Sequence, residues 1–286
     1  MHNDLQSLTK HTVAAVRETA AFIRAEMGKV SAGQIEEKHL NGLVSYVDRT
    51  AEEMLVESLG RLLPEATFLT EEATVENRAG DLQWIIDPLD GTTNFLYGVP
   101  HFSVSVGLKV GDQLQVGVVH HVPADECFWA WRDGGAWCNG EAIRASSRSH
   151  MRQALVATGF PYHNFDRAQG WFAALRRFME QGRGARRFGS AALDLAYVAC
   201  GRFDIFFEYG LNAWDVAFDE NVRDTILNSS SSENPTELSK KKVHSVKLDS
   251  RANMDNWKKR LTAEEILRIR KMTESVSHLF YSENEW

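Results

Sequence analysis

The opening stretch of the chain carries apolar residues at helical spacing, and Gly28 and Gly33 then interrupt the pattern. This spacing predicts an amphipathic helix over residues 5–27. A second stretch, residues 51–63, places its apolar side chains on one side before Pro64. Because proline cannot continue a helix, this stretch predicts a second helix that ends there.

The middle of the chain changes to the spacing of β-strands. Short segments rich in β-branched and aromatic residues are separated by Gly, Asp or Pro, and they cover residues 83–86, 102–110, 115–121 and 127–132. We expect them to be strands of one sheet. Further strand and helix signals follow at residues 154–158, 169–181 and 191–200. This alternation predicts layered α/β or α+β packing.

The character of the sequence changes after about residue 218. Residues 228–242 hold four consecutive serines and a lysine triplet, which is typical of a polar linker. A capping-box pattern and helical spacing then predict one terminal helix at about residues 262–280. We therefore expect a main domain over residues 1–218 and a separate tail over residues 219–286.

Composition and charge restrict the class of protein and its partners. With 43% hydrophobic and 25% charged residues, the chain has the composition of a folded globular protein. Its net charge of −7 provides no overall basic field, so we expect no nucleic-acid and no membrane partner. The three cysteines form no C-x-x-C pair, and the sequence has neither a signal-peptide pattern nor a long apolar run. These features predict a cytoplasmic protein.

The most specific motif is W-I-I-D-P-L-D-G-T-T-N-F at residues 84–95. Its apolar start predicts a strand that delivers Asp87 at its end, and Gly91 permits a tight turn toward a helix beginning at Thr92. Asp87 and Asp90 then converge on one point. Paired carboxylates raise each other's pKa unless a cation neutralises them, and Mg²⁺ prefers oxygen ligands. The backbone amides of Gly91 and Thr92 would suit a phosphate group.

An isolated D-x-x-D-G would indicate only a turn with solvated aspartates. The full string, however, closely resembles the signature of the inositol monophosphatase family, which are Mg²⁺-dependent, lithium-sensitive phosphatases. Further segments resemble motifs of that family in the same order, and they contain Lys38 with Asp48, Glu71, residues 189–204, Glu208, and Trp214 with Asp215. The resemblance covers about residues 5–217. It implies the family's α+β fold, a layered αβαβ sandwich, and a homodimer.

The resemblance also implies a site and a reaction. The implied ligands of two Mg²⁺ ions, bridged by Asp87, are Glu71, Asp87, the Leu89 carbonyl, Asp90 and Asp215. The implied catalytic residues, which orient and deprotonate the attacking water, are Glu71, Thr92 and Asp48, together with Lys38. The implied contacts to the substrate are Gly91, Thr92, Gly189, Ser190, Ala191 and Glu208. The implied reaction is hydrolysis of a small-molecule phosphate monoester, either inositol monophosphate or a similar polyol or sugar phosphate.

Several of these positions also have a purely structural interpretation. Without its context Glu71 would belong to an exposed surface pair, Asp48 would cap a helix, and residues 189–204 would form a buried helix and strand. His120 and His121 are adjacent, so they point to opposite faces of a strand, and we expect them to be structural rather than metal ligands.

Three alternatives stay open. A 3′,5′-bisphosphate nucleotidase or a fructose-1,6-bisphosphatase of the same superfamily is disfavoured because T-T-N-F at residues 92–95 differs from the nucleotidases' G-T-K-E-F. The third alternative is a non-catalytic remnant. It arises because the resemblance breaks after residue 217, and the end of the chain weakly resembles a bacterial sulfotransferase without a phosphosulfate-binding loop. We hypothesise a fusion or a rearranged reading frame that leaves the catalytic domain incomplete at its C-terminus.

Overall fold

The computed structural model describes residues 2–39, 42–160, 165 and 168–216. The chain divides into two compact units. The larger unit contains residues 1–164 and 178–220, and the smaller unit contains residues 165–177 and 221–286. The break after residue 217, the predicted linker at 228–242 and the predicted helix at 262–280 lie outside the described residues.

Five α-helices occur in the described part of the chain: α1 (His2–Glu26), α2 (Tyr46–Leu62), α3 (Thr92–Leu96), α4 (Ala168–Gln181) and α5 (Ala191–Ala199). The two predicted N-terminal helices are therefore confirmed. The prediction was wrong about the start of α2, because Ser45 caps the helix and Val47 donates its amide to the Ser45 hydroxyl. No helix among the described residues is both long and apolar enough to span a bilayer.

The main sheet has seven strands in the order β3 to β9: β3 (Thr67–Thr70), β4 (Leu82–Asp90), β5 (Ser103–Val110), β6 (Gln113–His121), β7 (Glu126–Trp131), β8 (Gly135–Cys138) and β9 (Glu141–Ala142). Strands β3 and β4 are parallel, and the other neighbours are antiparallel. The four segments predicted as one sheet are β4 to β7, so that prediction is confirmed.

Two smaller sheets complete the described strands. An antiparallel pair consists of β1 (Ile35–His39) and β2 (Gly42–Ser45). A parallel sheet places β10 (Leu155–Thr158) between β11 (Gly184–Arg186) and β12 (Ile205–Phe207). Only β10 of these five strands is predicted by residue spacing, because the other four are short and lack a continued alternation of apolar and polar residues.

The two faces of the main sheet supply two hydrophobic cores, since alternate side chains of a strand point to opposite faces. Val118 on β6 belongs to the core that includes Ile23 of α1 and Leu55 of α2. Val119, the next residue, belongs to the second core with Leu193 of α5. Helix α5 also contacts β10 and β12. The larger unit is therefore an α+β structure in which both faces of the main sheet are covered by helices.

Candidate active site

A cleft of about 620 Å³ opens in the larger unit where β4 ends. Its walls contain every predicted site residue except Asp48: Lys38, Glu71, Asp87, Leu89, Asp90, Gly91, Thr92, Gly189, Ser190, Ala191, Glu208 and Asp215. Asp48 lies behind Thr92 and accepts a hydrogen bond from it. Residues taken from separate motifs along the chain are thus brought to one place.

The pairing of β3 with β4 places two acidic residues side by side. The strands are parallel with Thr70 opposite Ile86, and the Glu71 amide donates to the Ile86 carbonyl oxygen at 3.2 Å. Because parallel strands end at the same edge of a sheet, Glu71 follows β3 next to Asp87. The Glu71 side chain is 26% exposed, so it belongs to the cleft wall rather than to a solvated surface pair.

Three aspartates of the cleft interact electrostatically. Burial raises the pKa of Asp87 well above its usual value, and the nearby charges of Glu71, Asp90 and Asp215 raise it further. Burial also raises the pKa of Asp90 to about 6 and that of Asp215 to about 7. Ionising the whole group at neutral pH therefore requires a compensating cation.

Asp90 holds the start of α5. Its Oδ2 accepts hydrogen bonds from the Ser190 hydroxyl at 2.6 Å and from the Ala192 amide at 2.8 Å. The Ser190 side chain in turn caps α5 by accepting the Leu193 amide at 3.3 Å. These bonds place the predicted substrate residues 189–191 beside the carboxylate of Asp90.

Gly91 connects β4 to α3 in a conformation that other residues rarely adopt. Its φ is 97°, in the left-handed region. A Cβ at this position would lie 3.1 Å from the Gly189 carbonyl oxygen and 3.2 Å from the His101 carbonyl oxygen. The predicted tight turn is confirmed, and the close approach of Gly189 requires glycine there.

The two carboxylate oxygens of Asp48 accept hydrogen bonds from different elements, one from the start of α2 and the other from a residue of the cleft. Its Oδ2 accepts the Ser45 amide at 2.8 Å and the Ser45 hydroxyl at 2.7 Å, which forms the capping box of α2. Its Oδ1 accepts the Thr92 hydroxyl at 2.9 Å. Burial raises the pKa of Asp48, although these hydrogen bonds oppose that effect. The N-cap itself is Ser45, and Asp48 is its partner in the capping box rather than the predicted cap, while the contact that a catalytic role needs is also present.

Lys38 binds two carboxylates at the rim of the cleft. Its Nζ lies 3.1 Å from Glu71 Oε1 and 2.6 Å from Glu72 Oε1. Burial alone would lower the pKa of Lys38, but the two glutamates outweigh burial and raise it. Burial raises the pKa of Glu72 to about 7.

Glu52 is a buried residue of α2 that the sequence analysis missed. It accepts the Glu72 amide at 2.8 Å and the Thr74 amide at 2.7 Å, so it anchors the loop that follows Glu71. A signal was available in the sequence. Glu52 is spaced at helical intervals from Leu55 and Leu59, both fully buried, and therefore lies on the apolar side of α2.

Asp215 reaches the cleft from a single 3₁₀ turn, Trp214–Val216. Its Oδ2 accepts the Asn212 amide at 2.5 Å, and the charge of Asp90 contributes to its raised pKa. The described residues therefore bring Asp215 together with Asp87 and Asp90.

Two further acids line the cleft beyond Asp215. Burial raises the pKa of Glu208, which follows β12, and of Asp194 in α5, each to about 8. Asp194 is 1% exposed, and its Oδ1 has no hydrogen-bond partner among the described residues. The sequence analysis missed Asp194, although a lone acid in the apolar run A-A-L-D-L-A was an available signal.

The chemistry of these oxygen donors fits Mg²⁺, although their side chains are not already arranged around one metal position. Within the described ranges, no three His, Cys, Asp or Glu side chains form a preassembled metal site. The cleft nevertheless offers buried carboxylate oxygens whose pKa values are raised by burial and mutual repulsion, and the Leu89 carbonyl. A hard dication that takes oxygen ligands would relieve this repulsion.

His120 and His121 are not among the residues that line the cleft. His120 Nε2 lies 3.4 Å from Asp125 Oδ1, and His121 Nδ1 lies 3.2 Å from the Tyr197 hydroxyl. Both side chains are buried between other elements, which agrees with the structural interpretation.

Comparison with known proteins gives consistent matches over this part of the chain. The profile of the Inositol monophosphatase family matches residues 4–217. Nus factor SuhB of Haemophilus influenzae and inositol-1-monophosphatase of Mesorhizobium japonicum are each 39% identical over 206 residues, covering 72% of this chain and 77% of the relative.

Solved structures agree with these sequence matches. The extragenic suppressor protein suhB from Bartonella henselae matches with a TM-score of 0.70 and 37% identity, covering 74% of this chain and 82% of that one. An IMPase from Thermotoga maritima matches with a TM-score of 0.66 and 30% identity, covering 74% and 80%.

Proposed function

The chain belongs to the inositol monophosphatase family, and from that premise we propose that it hydrolyses a phosphate monoester with the aid of Mg²⁺. The proposed substrate is inositol monophosphate or a similar polyol or sugar phosphate. One observation carries the proposal: Glu71 and the three aspartates Asp87, Asp90 and Asp215 converge on a cleft that Thr92 and its partner Asp48 also reach. Metal-assisted hydrolysis needs this combination of carboxylates and a water-orienting hydroxyl.

Glu71, Asp87, the Leu89 carbonyl, Asp90 and Asp215 would hold the metal. Bound Mg²⁺ supplies neutralisation of charge on the phosphoryl and leaving oxygens. The amides at the start of α3 lack carbonyl partners inside the helix, and we assign them to the phosphate oxygens.

Thr92 and Glu71 would prepare the attacking water. The Thr92 hydroxyl has one proton, and when it donates to Asp48, its lone pairs are left to accept a hydrogen bond from the attacking water. Glu71 would take the water proton as the oxygen attacks phosphorus. The bond from phosphorus to the alcohol oxygen breaks, and a proton goes to that oxygen, so the products are the free alcohol and phosphate.

The test is phosphate release from inositol 1-phosphate with added Mg²⁺. We expect turnover by the wild-type chain and a loss of about 10³-fold or more in Asp87→Asn, because a carboxylate charge that would help to hold the metal is removed. Asp81→Asn is the matched control, since Asp81 is an exposed residue outside the cleft lining. Absence of turnover in a folded, monodisperse wild-type preparation would instead favour the non-catalytic remnant.

A panel of esters separates the enzymes of this superfamily. We expect inositol 1-phosphate to be turned over faster than adenosine 3′,5′-bisphosphate or fructose 1,6-bisphosphate, because T-T-N-F follows the inositol branch. If the protein turned over either bisphosphate faster, that bisphosphate would be its proposed substrate instead of a polyol phosphate. The proposal of metal-dependent phosphate hydrolysis would still hold.

A second candidate function is binding to a transcription complex. Relatives at 38–41% identity are named Nus factor SuhB, which counts against excluding nucleic-acid or transcription partners on net charge alone. Copurification of RNA or RNA polymerase with both wild type and Asp87→Asn would indicate a role separate from hydrolysis. The homodimer also stays a proposal, and sedimentation would measure it.

We also propose that residues 1–218 act as the catalytic domain and residues 219–286 as a separate tail. The family match supports this division because it ends at residue 217. Limited proteolysis that leaves a stable fragment ending near residue 218, with the activity of the full chain, would support it.

A further inference from the structure

Gly159 lies in the wall of the cleft, directly after β10. A Cβ built on its backbone would lie 2.0 Å from Cδ and from both carboxylate oxygens of Glu208. Non-bonded atoms do not approach so closely, so the Glu208 carboxyl occupies the space that any side chain at position 159 would need. The φ of Gly159 is outside the left-handed region, and so the missing side chain, not backbone freedom, is what distinguishes this position.

The strand register fixes this contact. Strands β10 and β12 are parallel with Thr158 opposite Phe207, and the Thr158 hydroxyl donates to the Phe207 carbonyl oxygen at 2.6 Å. Gly159 and Glu208 are the next residues along the two strands. Their backbones are therefore held next to each other, whereas the Glu208 side chain keeps the rotatable bonds that aim its carboxyl.

Asp194 adds a second buried oxygen on the wall that Glu208 lines. In the part of the chain that the structure describes, its Oδ1 has no hydrogen-bond partner, and the charge of Glu208 contributes to its raised pKa, so the two groups are near each other. Unpartnered buried oxygens are costly unless a ligand supplies hydrogen-bond partners. An alcohol carrying several hydroxyls can do so, and a phenol ring cannot.

We propose that Gly159 is a specificity-determining positioning residue. Because Gly159 has no side chain, the Glu208 carboxyl can pack against the end of β10. In that position the carboxyl is directed at the hydroxyls of a polyol ester. This inference rests on the proposed phosphatase function. Because the obstructed atoms are the end of a flexible side chain, a Cβ at position 159 would move the carboxyl and leave the fold in place.

The experiment compares Gly159→Ala, Glu208→Ala and the double variant in the full chain with Mg²⁺. The quantity measured is kcat/KM for inositol 1-phosphate divided by kcat/KM for 4-nitrophenyl phosphate, which lacks ring hydroxyls. We expect Gly159→Ala to lower this ratio about tenfold, mostly through KM for the inositol ester, as loss of a hydrogen bond between substrate and enzyme does. Gly33→Ala is the control, because its Cβ would meet nothing within 4 Å.

The double variant distinguishes repositioning of Glu208 from general damage. We expect its ratio to equal that of Glu208→Ala, because the carboxyl that the new Cβ moves is already gone. An unchanged ratio in Gly159→Ala, or losses that simply multiply in the double variant, would overturn the proposal while leaving the phosphatase function intact. A wild-type chain that hydrolyses neither ester would overturn both.

Folding of the variants gives an independent readout. If Gly159→Ala fails to fold, the double variant is expected to recover folding, measured by thermal unfolding, because the steric conflict has been removed. Failure of both to fold would show that position 159 does not act through Glu208, and the inference would be wrong.

Discussion

At the scale of single residues, Lys38 has one of the clearest individual roles. Its ammonium lies between Glu71 and Glu72, whose carboxylates would otherwise face each other without a counter-charge. It therefore supplies the counter-charge for both carboxylates. This role is electrostatic and local, because the Lys38 side chain is only partly buried.

We expect Lys38→Ala to lower kcat about tenfold to a hundredfold without unfolding the protein, because Glu71 loses the hydrogen bond that positions its carboxylate in the cleft. Steady-state kinetics and thermal unfolding measure the two effects separately. Lys29→Ala serves as the comparison, since Lys29 pairs only with the neighbouring Glu26 in the described structure. A kcat equal to that of wild type would remove Lys38 from the site.

The residues that the sequence could predict are those that carry a recognisable motif. Asp87, Asp90 and Glu71 were assigned because their segments resemble motifs of the family, and their convergence follows from the parallel pairing of β3 with β4, which residue spacing did not predict. Asp194 and Gly159 could not be assigned in this way. Their significance depends on which side chain from another element comes within contact distance, and spacing along one chain does not contain that information.

At the scale of elements, α2 is joined to the cleft at its first turn. Ser45 caps the helix, and the same capping box holds Asp48 where it accepts the Thr92 hydroxyl. The predicted start of α2 was too late because it took Ala51 as the first residue, whereas Val47 continues the apolar spacing one turn earlier and the Ser45 cap defines the boundary.

We expect Ser45→Ala to destabilise the protein by about 1 kcal/mol through loss of the cap, and also to lower kcat because Asp48 loses a partner. Ser45→Thr should retain both properties, since threonine can cap in the same way. Chemical denaturation gives the free energy of unfolding, and phosphate release gives kcat. A loss of stability with full activity would show that Asp48 does not need its cap to support Thr92.

At the scale of the whole molecule, the cleft makes metal-free stability depend on pH. Asp90 and Asp215 have folded pKa values of about 6 and about 7, above the usual value for aspartate. The folded protein therefore binds protons more tightly than the unfolded chain. This contribution to stability is fully present below about pH 4 and is lost as the pH rises through 6 and 7.

We expect Mg²⁺ to reverse that loss. Because the ion and the protons compete for the same oxygens, added Mg²⁺ should raise the melting temperature more at pH 8 than at pH 5, and a concentration of a hundred times Kd corresponds to about 2.7 kcal/mol. Scanning calorimetry at several pH values measures this. Asp87→Asn should respond much less, and an equal response in both proteins would contradict metal binding at the cleft.

The carboxylates of the cleft are spread from position 71 to position 215, which has a consequence for synthesis on the ribosome. Asp87 and Asp90 emerge with the central sheet, whereas Glu208 and Asp215 emerge after all of its strands. The nascent chain can therefore assemble the sheet and the packing of α1 and α2 before the full negative charge of the cleft is present. The repulsion that the folded protein must accommodate is thus completed only after the strands of the central sheet and helices α1 and α2 have been synthesised.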